Sequence, residues 1–351
     1  MDDNKPFELA CPLLIASKQT IQLAHGGGGR LMQELIQDVF VRAFQNPMLE
    51  ALHDGATWQV EKGTLAFTTD SYVVRPLFFP GGDIGSLAVN GTINDLAMCG
   101  AKPLYLSAAF ILEEGLSLDV LQRVVISMAE TAREAGVPIV TGDTKVVDCG
   151  KGDGIFINTS GVGLVPAGVR VLPTLIQPGD AILVSGDLGS HGVAVLSVRE
   201  GLTFDGNVES DSAPLHQIVS DLIQSDIEIH CMRDLTRGGL ASVLNELAEA
   251  AEIGMTVDEA AIPVSESVRG ACELLGLDPL YVANEGRFVA IVPASQAEAA
   301  LAVMHRHEAA KQAAQIGVVT SCDPSMVVLQ TVVGTHRVLD LLSGEQLPRI
   351  C

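Results

Sequence analysis

Five aspartates stand where apolar or strand-like runs give way to turn residues: Asp54 in LHDGA, Asp70 in FTTDSY, Asp95 in GTINDLAM, Asp143 in VTGDTK and Asp234 in CMRDLTRGG. A single aspartate at such a place is ordinary turn chemistry, its carboxylate capping backbone N–H groups. Five can do more, because strand ends are where side chains of different elements converge. Mg2+ takes hard oxygen ligands there, one or two carboxylates together with phosphate oxygens. Lys145, Arg233 and Arg237 lie beside these acids in a chain with only 21 Lys and Arg. Cations so placed supply the charge balance of a polyphosphate site.

Three further stretches carry reactive potential. LAHGGGGRLMQELI sets Gly26, Gly27, Gly28 and Gly29 directly before Arg30 and an amphipathic segment. Backbones without Cβ atoms let consecutive N–H groups converge on an anion, and a helix N-terminus adds to the attraction; a flexible connection uses the same residues. Neither a GxxxxGK[ST] P-loop nor a GxGxxG dinucleotide fingerprint is present. YVANEGRF is read as placing Glu285 and Arg287 between two strands. An acid in a partly apolar cleft acts as a base near neutral pH, whereas the same pair at a surface is a plain salt bridge.

The chain ends SGEQLPRIC. Terminal residues usually fray and carry no meaning, yet an exposed thiol is open to oxidation and exchange. From Leu342 to Cys351 the tail is polar and holds Gly344 and Pro348. Extended, it spans on the order of 30 Å, enough to carry a thiol into a cleft and out. A prenylation signal is excluded, since that motif needs its cysteine fourth from the end.

Bulk composition narrows the classes. A net charge of -22 argues against nucleic acid as partner, and 48% hydrophobic residues over 351 positions allow two domains with sizeable cores. MDDNKPFELACPLL has acids where a signal peptide carries basic residues, and no apolar run approaches bilayer length, so a cytoplasmic protein is expected. The seven cysteines include no CxxC, which removes the usual zinc and dithiol motifs. Most are expected to be small buried hydrophobes, Cys351 least of all.

The elements that must position these residues read as alternating strands and helices. TLAFTTDSYVV and PLYLSAAFILEE are strand-like. SLAVNGTINDLAMCGA and LDVLQRVVISMAETAREAG have helical spacing, the second closing at Gly136, and VPIVTGDTKVV reads as a strand running into a turn. PAGVRVLPTLIQPGD marks a boundary near 166–179. Beyond it come a strand at DAILVSGD, a helix at SHGVAVLSVREG, a polar loop near 203–212, a helix at TRGGLASVLNELAEAAEIG, a strand at RFVAIVPAS and a helix at QAEAALAVMHRHEAAKQ. The fold class is α+β in two domains. The expected parcelling is 1–50 for the glycine-loop segment, 51–168 and 169–340 for the domains, and 341–351 for a flexible tail.

AHGGGGRLMQELI, TTDSYVVRPLFFPGGDIGSLAVNGTINDLAMCGA, LYLSAAFILEEG, GDTKVV, SGDLGSHG, MRDLTRGGL, NEGR and the terminal PRIC together closely resemble the HypE family of hydrogenase-maturation proteins, within the PurM-like ATP-binding superfamily. The resemblance runs from about residue 20 to the end. It implies a carbamoyl dehydratase: the thiol of Cys351 receives a carbamoyl group from the carbamoyltransferase HypF, and ATP drives loss of water to a thiocyanate. The cyano group then passes to the iron of a [NiFe]-hydrogenase through HypC and HypD. It implies Glu285 as leading candidate for the base and Lys145 as holder of phosphate or carbamoyl oxygen, with the division between them open. ATP is expected to lie in a cleft between domains, beneath the loop of Gly26, Gly27, Gly28, Gly29 and Arg30. Asn94, Thr141, Arg233 and Arg237 are expected to help hold it, and Asp54, Asp70, Asp95, Asp143 and Asp234 to serve nucleotide and Mg2+. A homodimer is implied, its N-terminal strands closing a β-barrel.

Sister families share this architecture. Selenophosphate synthase carries a reactive Cys or selenocysteine and a Lys in its glycine loop, which HGGGGRLM lacks. Thiamin-monophosphate kinase and aminoimidazole ribonucleotide synthase need no terminal cysteine. A docking scaffold without ATP turnover is the remaining alternative, and a phosphate-release assay separates it from an enzyme.

Overall fold

The computed structural model describes residues 20–22, 25, 34–45, 63–202 and 208–341. The glycine loop with Arg30, Asp54 and the tail with Cys351 lie outside the described residues. Ahead of the first strand, the amphipathic segment forms a π-helical turn over Ile36–Val41 that continues as a helix over Arg42–Phe44.

The N-terminal half contains β1 (Thr64–Tyr72), the short β2 (Phe78–Phe79) and β3 (Gly82–Asp83), α1 (Ile84–Met98), β4 (Lys102–Glu113), α2 (Leu118–Ala135), β5 (Ile139–Val147) and β6 (Ile155–Val165). Four strands form one sheet in the order β1-β6-β4-β5, antiparallel except for the β4–β5 pair. That parallel step needs a crossover, and α2 supplies it, closing on Gly136 at φ 70 as expected. Asp83 starts α1 with a capping box, its Oδ1 accepting from Gly85 N at 2.6 Å and Ser86 N at 3.2 Å. Both helices pack on one face of the sheet, where Leu106, Phe110 and Ile157 meet Leu87, Val124 and Met128 in one core.

Among the described residues the other face carries no helix of this half. Phe67 is 73% exposed and Ile111 44% exposed on it. Residues directly paired across neighbouring strands share a face. Ser107 pairs with Thr141, Ala109 with Asp143 and Ile111 with Lys145. Thr141, Asp143 and Lys145 therefore stand on this helix-free side. The strand does not run into a turn at Gly142 and Asp143; β5 continues unbroken to Val147, because β4 pairs with it along that whole length.

The C-terminal half contains β7 (Ala181–Val184), α3 (Ser190–Glu200), α4 (His216–Gln224), β8 (Cys231–Asp234), α5 (Gly239–Ala251), β9 (Gly254–Asp258), α6 (Glu266–Leu275), β10 (Phe288–Val292), α7 (Ala297–Met304), β11 (Ala314–Thr320), β12 (Val327–Gln330) and β13 (His336–Val338). Seven strands form a second sheet in the order β13-β12-β9-β11-β7-β10-β8. Alternate residues of β7 and β10 enter different cores. Val184, Val289 and Ile291 pack with Leu240 and Leu244 of α5, while Leu183, Phe288 and Ala290 pack with Ile218 and Leu222 of α4.

Two expectations are corrected here. NEGR follows a 3-10 turn at Pro279–Tyr281 and only then enters β10, so it does not lie between two strands. Of the described cysteines, Cys231 and Cys272 are buried, but Cys99, Cys149 and Cys322 are exposed, because they fall at a helix end and in turns. Among the described residues no helix is long and apolar enough to cross a membrane.

Candidate active site

The face of β1 that meets α1 carries Thr68, Asp70 and Tyr72, because strand side chains alternate. On α1, Asp95 and Asn94 follow the glycine at position 91, where a Cβ would stand 2.2 Å from the Tyr72 hydroxyl. Asp95 is thus a helix residue in the last turn of α1, not a turn residue. Thr68 Oγ1 donates to Asp95 Oδ2 at 2.8 Å. From the C-terminal half, Asp234 ends β8 and Glu285 precedes β10, strands paired through Asp234 and Phe288.

These acids sense one another. Burial raises the pKa of Asp95, and the charge of Asp70 adds to the rise. Asp234 is pushed up to about 7, first by burial and then by Asp95, with Arg233 opposing. Glu285 is 3% exposed and its carboxyl is raised well above the ordinary value by burial, then by Asp234, Asp211 and Asp70, with Arg237 opposing. Glu285 is therefore no surface salt bridge. Its neighbour Arg287 pairs with Asp187 instead, Nη2 to Oδ1 at 2.7 Å. Among the described residues Glu285 Oε1 is buried without a hydrogen-bond partner. Several desolvated carboxylates with few bases are a set short of positive charge, which suits a hard cation with oxygen ligands. Among the described residues no three His, Cys, Asp or Glu side chains are close enough to hold a metal unaided. Asp70, Asp95 and Asp234 therefore fit Mg2+ only with further oxygens, such as those of phosphates and water.

The remaining expected residues separate into groups. Lys145 Nζ lies 2.9 Å from Asp143 Oδ1, and that contact holds the Asp143 carboxyl below its usual range. Both, with Thr141, are on the helix-free side and do not join the acids of α1 within one chain. Arg233 reaches Glu246 at 2.8 Å, and Arg237 is exposed at the head of α5 beside Glu285. Asn94 is buried and fully used by backbone. Its Nδ2 donates to Ala213 O at 3.0 Å and Glu285 O at 3.2 Å, and its Oδ1 accepts from Leu215 N at 2.8 Å. Sequence reasoning missed Thr68, Tyr72 and Asp211. The two on β1 had a signal, the period-two alternation that sets them on the Asp70 face; Asp211 sat in a loop with none.

Comparison with known proteins bears on the fold and the family. Residues 52–165 match the AIR synthase related protein N-terminal domain, and residues 177–329 match the AIR synthase related protein C-terminal domain. The chain is 55% identical over 332 residues to carbamoyl dehydratase HypE of Azotobacter vinelandii, covering 95% of this chain and 97% of that protein. It is similar to the crystal structure of hydrogenase maturation protein HypE in complex with ATP, with a TM-score of 0.92, 52% identity, and coverage of 95% of this chain and 100% of that one. It is also similar to a chain of a HypE–HypF complex, with a TM-score of 0.77, 48% identity, and coverage of 88% and 99%. Motifs, two-domain fold and full-length similarity converge: the chain belongs to the HypE family of carbamoyl dehydratases, hydrogenase maturation proteins of PurM-like fold.

Proposed function

We propose that this protein dehydrates an S-carbamoyl group on Cys351 to a thiocyanate at the expense of ATP, supplying the cyanide ligand of a [NiFe]-hydrogenase iron. The observation that carries this reading is the buried Glu285 with its free Oε1, within electrostatic reach of Asp234, Asp211 and Asp70 where the two halves meet. The reading accords with a related HypE solved with ATP.

The carbamoyl oxygen is a poor leaving group until it takes the terminal phosphoryl of ATP. Loss of phosphate then breaks the C–O bond, and removal of the nitrogen's protons leaves the C≡N triple bond. Asp70, Asp95 and Asp234 would hold Mg2+, with Asp54 and Asp143 as further candidates; the ion supplies charge stabilisation to the transferring phosphoryl. Glu285 is the base. Burial and then the neighbouring acids raise its proton affinity, and a cation held among those acids would offset part of that repulsion. Gly26, Gly27, Gly28, Gly29 and Arg30 would close over the phosphates, and Arg233 and Arg237 offset their charge.

The helix-free face with Phe67 and Ile111 suits a second copy of the chain, in a homodimer that places Lys145 against the partner's site. HypF is the expected carbamoyl donor, as a HypE–HypF complex is known among relatives, and HypC with HypD the acceptor, in the cytoplasm. Glu285→Gln tests the base: it should take up the carbamoyl group and stall before water is lost. Normal thiocyanate formation by this variant would contradict the assignment.

A further inference from the structure

We propose that Asp211, in the loop between α3 and α4, is a positioning residue for Glu285, a reading that rests on Glu285 being the base. The Asp211 side chain is 1% exposed, and its Oδ1 accepts from the Glu285 backbone N–H at 2.9 Å. On the other side of the same residue, Asn94 of α1 donates to the Glu285 carbonyl. The base is thus held by its backbone from both halves of the molecule, which leaves Oε1 free in the seam.

Asp211 also feels the charge of Arg287, which opposes the effect of burial on its carboxyl, but its closest contact is to the Glu285 backbone. Arg287 Nε is 3.8 Å from Asp211 Oδ2, too far for a hydrogen bond, and Asp187 already binds that guanidinium at 2.7 Å. Among the described residues Asp211 Oδ2 has no hydrogen-bond partner. A buried carboxylate that makes its close contact only to one backbone N–H costs stability, and such costs persist where position matters to function. The backbone of the same loop also leaves no room for a side chain at position 286, where a Cβ would run into Asp211 O. Gly286 lets the loop close on the base. The loop is itself tied to α1, through Asn94 to Ala213 and Leu215 and through Asn90 Nδ2 to Ser212 Oγ at 3.1 Å.

The test loads Cys351 with carbamoyl by HypF, removes HypF, adds Mg·ATP, and follows loss of water by intact mass in one turnover, with Mg·ATP affinity measured separately by calorimetry. Asp211→Ala should bind Mg·ATP normally and accept carbamoyl normally, yet dehydrate about 100-fold more slowly, the usual consequence of a misplaced reacting group. Asp211→Asn keeps the acceptor oxygen and should stay within about tenfold of the unaltered protein. Hydrogen exchange at the Glu285 amide should speed up in Asp211→Ala and not in Asp211→Asn. Where Asp211→Ala does not fold, Asp211→Leu, close in shape to Asp, withdraws the acceptor and carries the same expectation. Dehydration by Asp211→Ala at the unaltered rate, or equal losses in Asp211→Ala and Asp211→Asn, would overturn the proposal. Glu285→Gln run alongside separates the two readings. If it dehydrates normally, the base assignment fails; if it stalls while Asp211→Ala does not, only the role of Asp211 fails.

Discussion

Lys145 and Glu285 stand on opposite sides of the N-terminal sheet. Lys145 pairs in register with Ile111 on the helix-free face, whereas Glu285 is bound by Asn94 of α1 on the helix-covered face. One chain cannot bring both to one carbamoyl group through the sheet, but two chains joined through the exposed face around Phe67 can do so at the strand ends. Mixed dimers of Lys145→Ala and Glu285→Gln chains should therefore regain dehydration at one of their two sites, although each parent dimer is inactive. Mixed dimers as inactive as the parents would place Lys145 outside the reaction or in the same chain's site.

That arrangement requires the dimer itself. Phe67→Glu puts a charge at the centre of the exposed apolar face and should shift sedimentation to monomer at micromolar concentration, with Tm little changed because the side chain is 73% exposed in the single chain. A dimer that survives this change uses another surface.

The acid cluster should bind the nucleotide's metal. Changing Asp70 and Asp95 together to Asn removes two carboxylates from the set and should abolish ATP turnover and weaken Mg·ATP binding at least tenfold, since one or two protein carboxylates are what Mg2+ ordinarily uses. Calorimetry with undiminished affinity in the double variant would move the metal elsewhere.

Of these elements, much was legible in the sequence. The β-rich runs TLAFTTDSYVV and PLYLSAAFILEE marked β1 and β4, and helical spacing with Gly136 marked α2, because each buries a single well-defined face. Asp143 was misread as a turn residue because a Gly-Asp pair is ordinary turn chemistry, which eight paired residues of β4 override. The α4 helix was missed behind its polar leader, and with it Asp211. Whether loop 208–215 touches Glu285 depends on how the two halves pack, and no local pattern encodes that.

Stability should also report on the raised acids. Asp234 and Glu285 hold protons more tightly in the folded chain than unfolded, so their contribution favours folding at low pH and is lost as pH rises. The loss begins near the ordinary carboxylate pKa of about 4 and for Asp234 is complete above its folded value of about 7. Calorimetric Tm without ligand should fall through that window, and Asp234→Asn should flatten the fall. Mg2+ should raise Tm more at alkaline pH than at acid pH. An Asp234→Asn profile identical to that of the unaltered protein would show that Asp234 is not perturbed as described.

The central claim is that Cys351 carries the group that is dehydrated, and intact mass reads that thiol directly. Incubated with HypF, carbamoyl phosphate and Mg·ATP, the protein should gain one carbamoyl group and then lose one water, with the modification mapped to the last residue. Cys351→Ala should bind Mg·ATP unchanged and gain no mass. If Cys351→Ala still gained a carbamoyl group and lost water at another cysteine, such as the exposed Cys99, Cys149 or Cys322, the terminal thiol would not be the carrier and the account would fail.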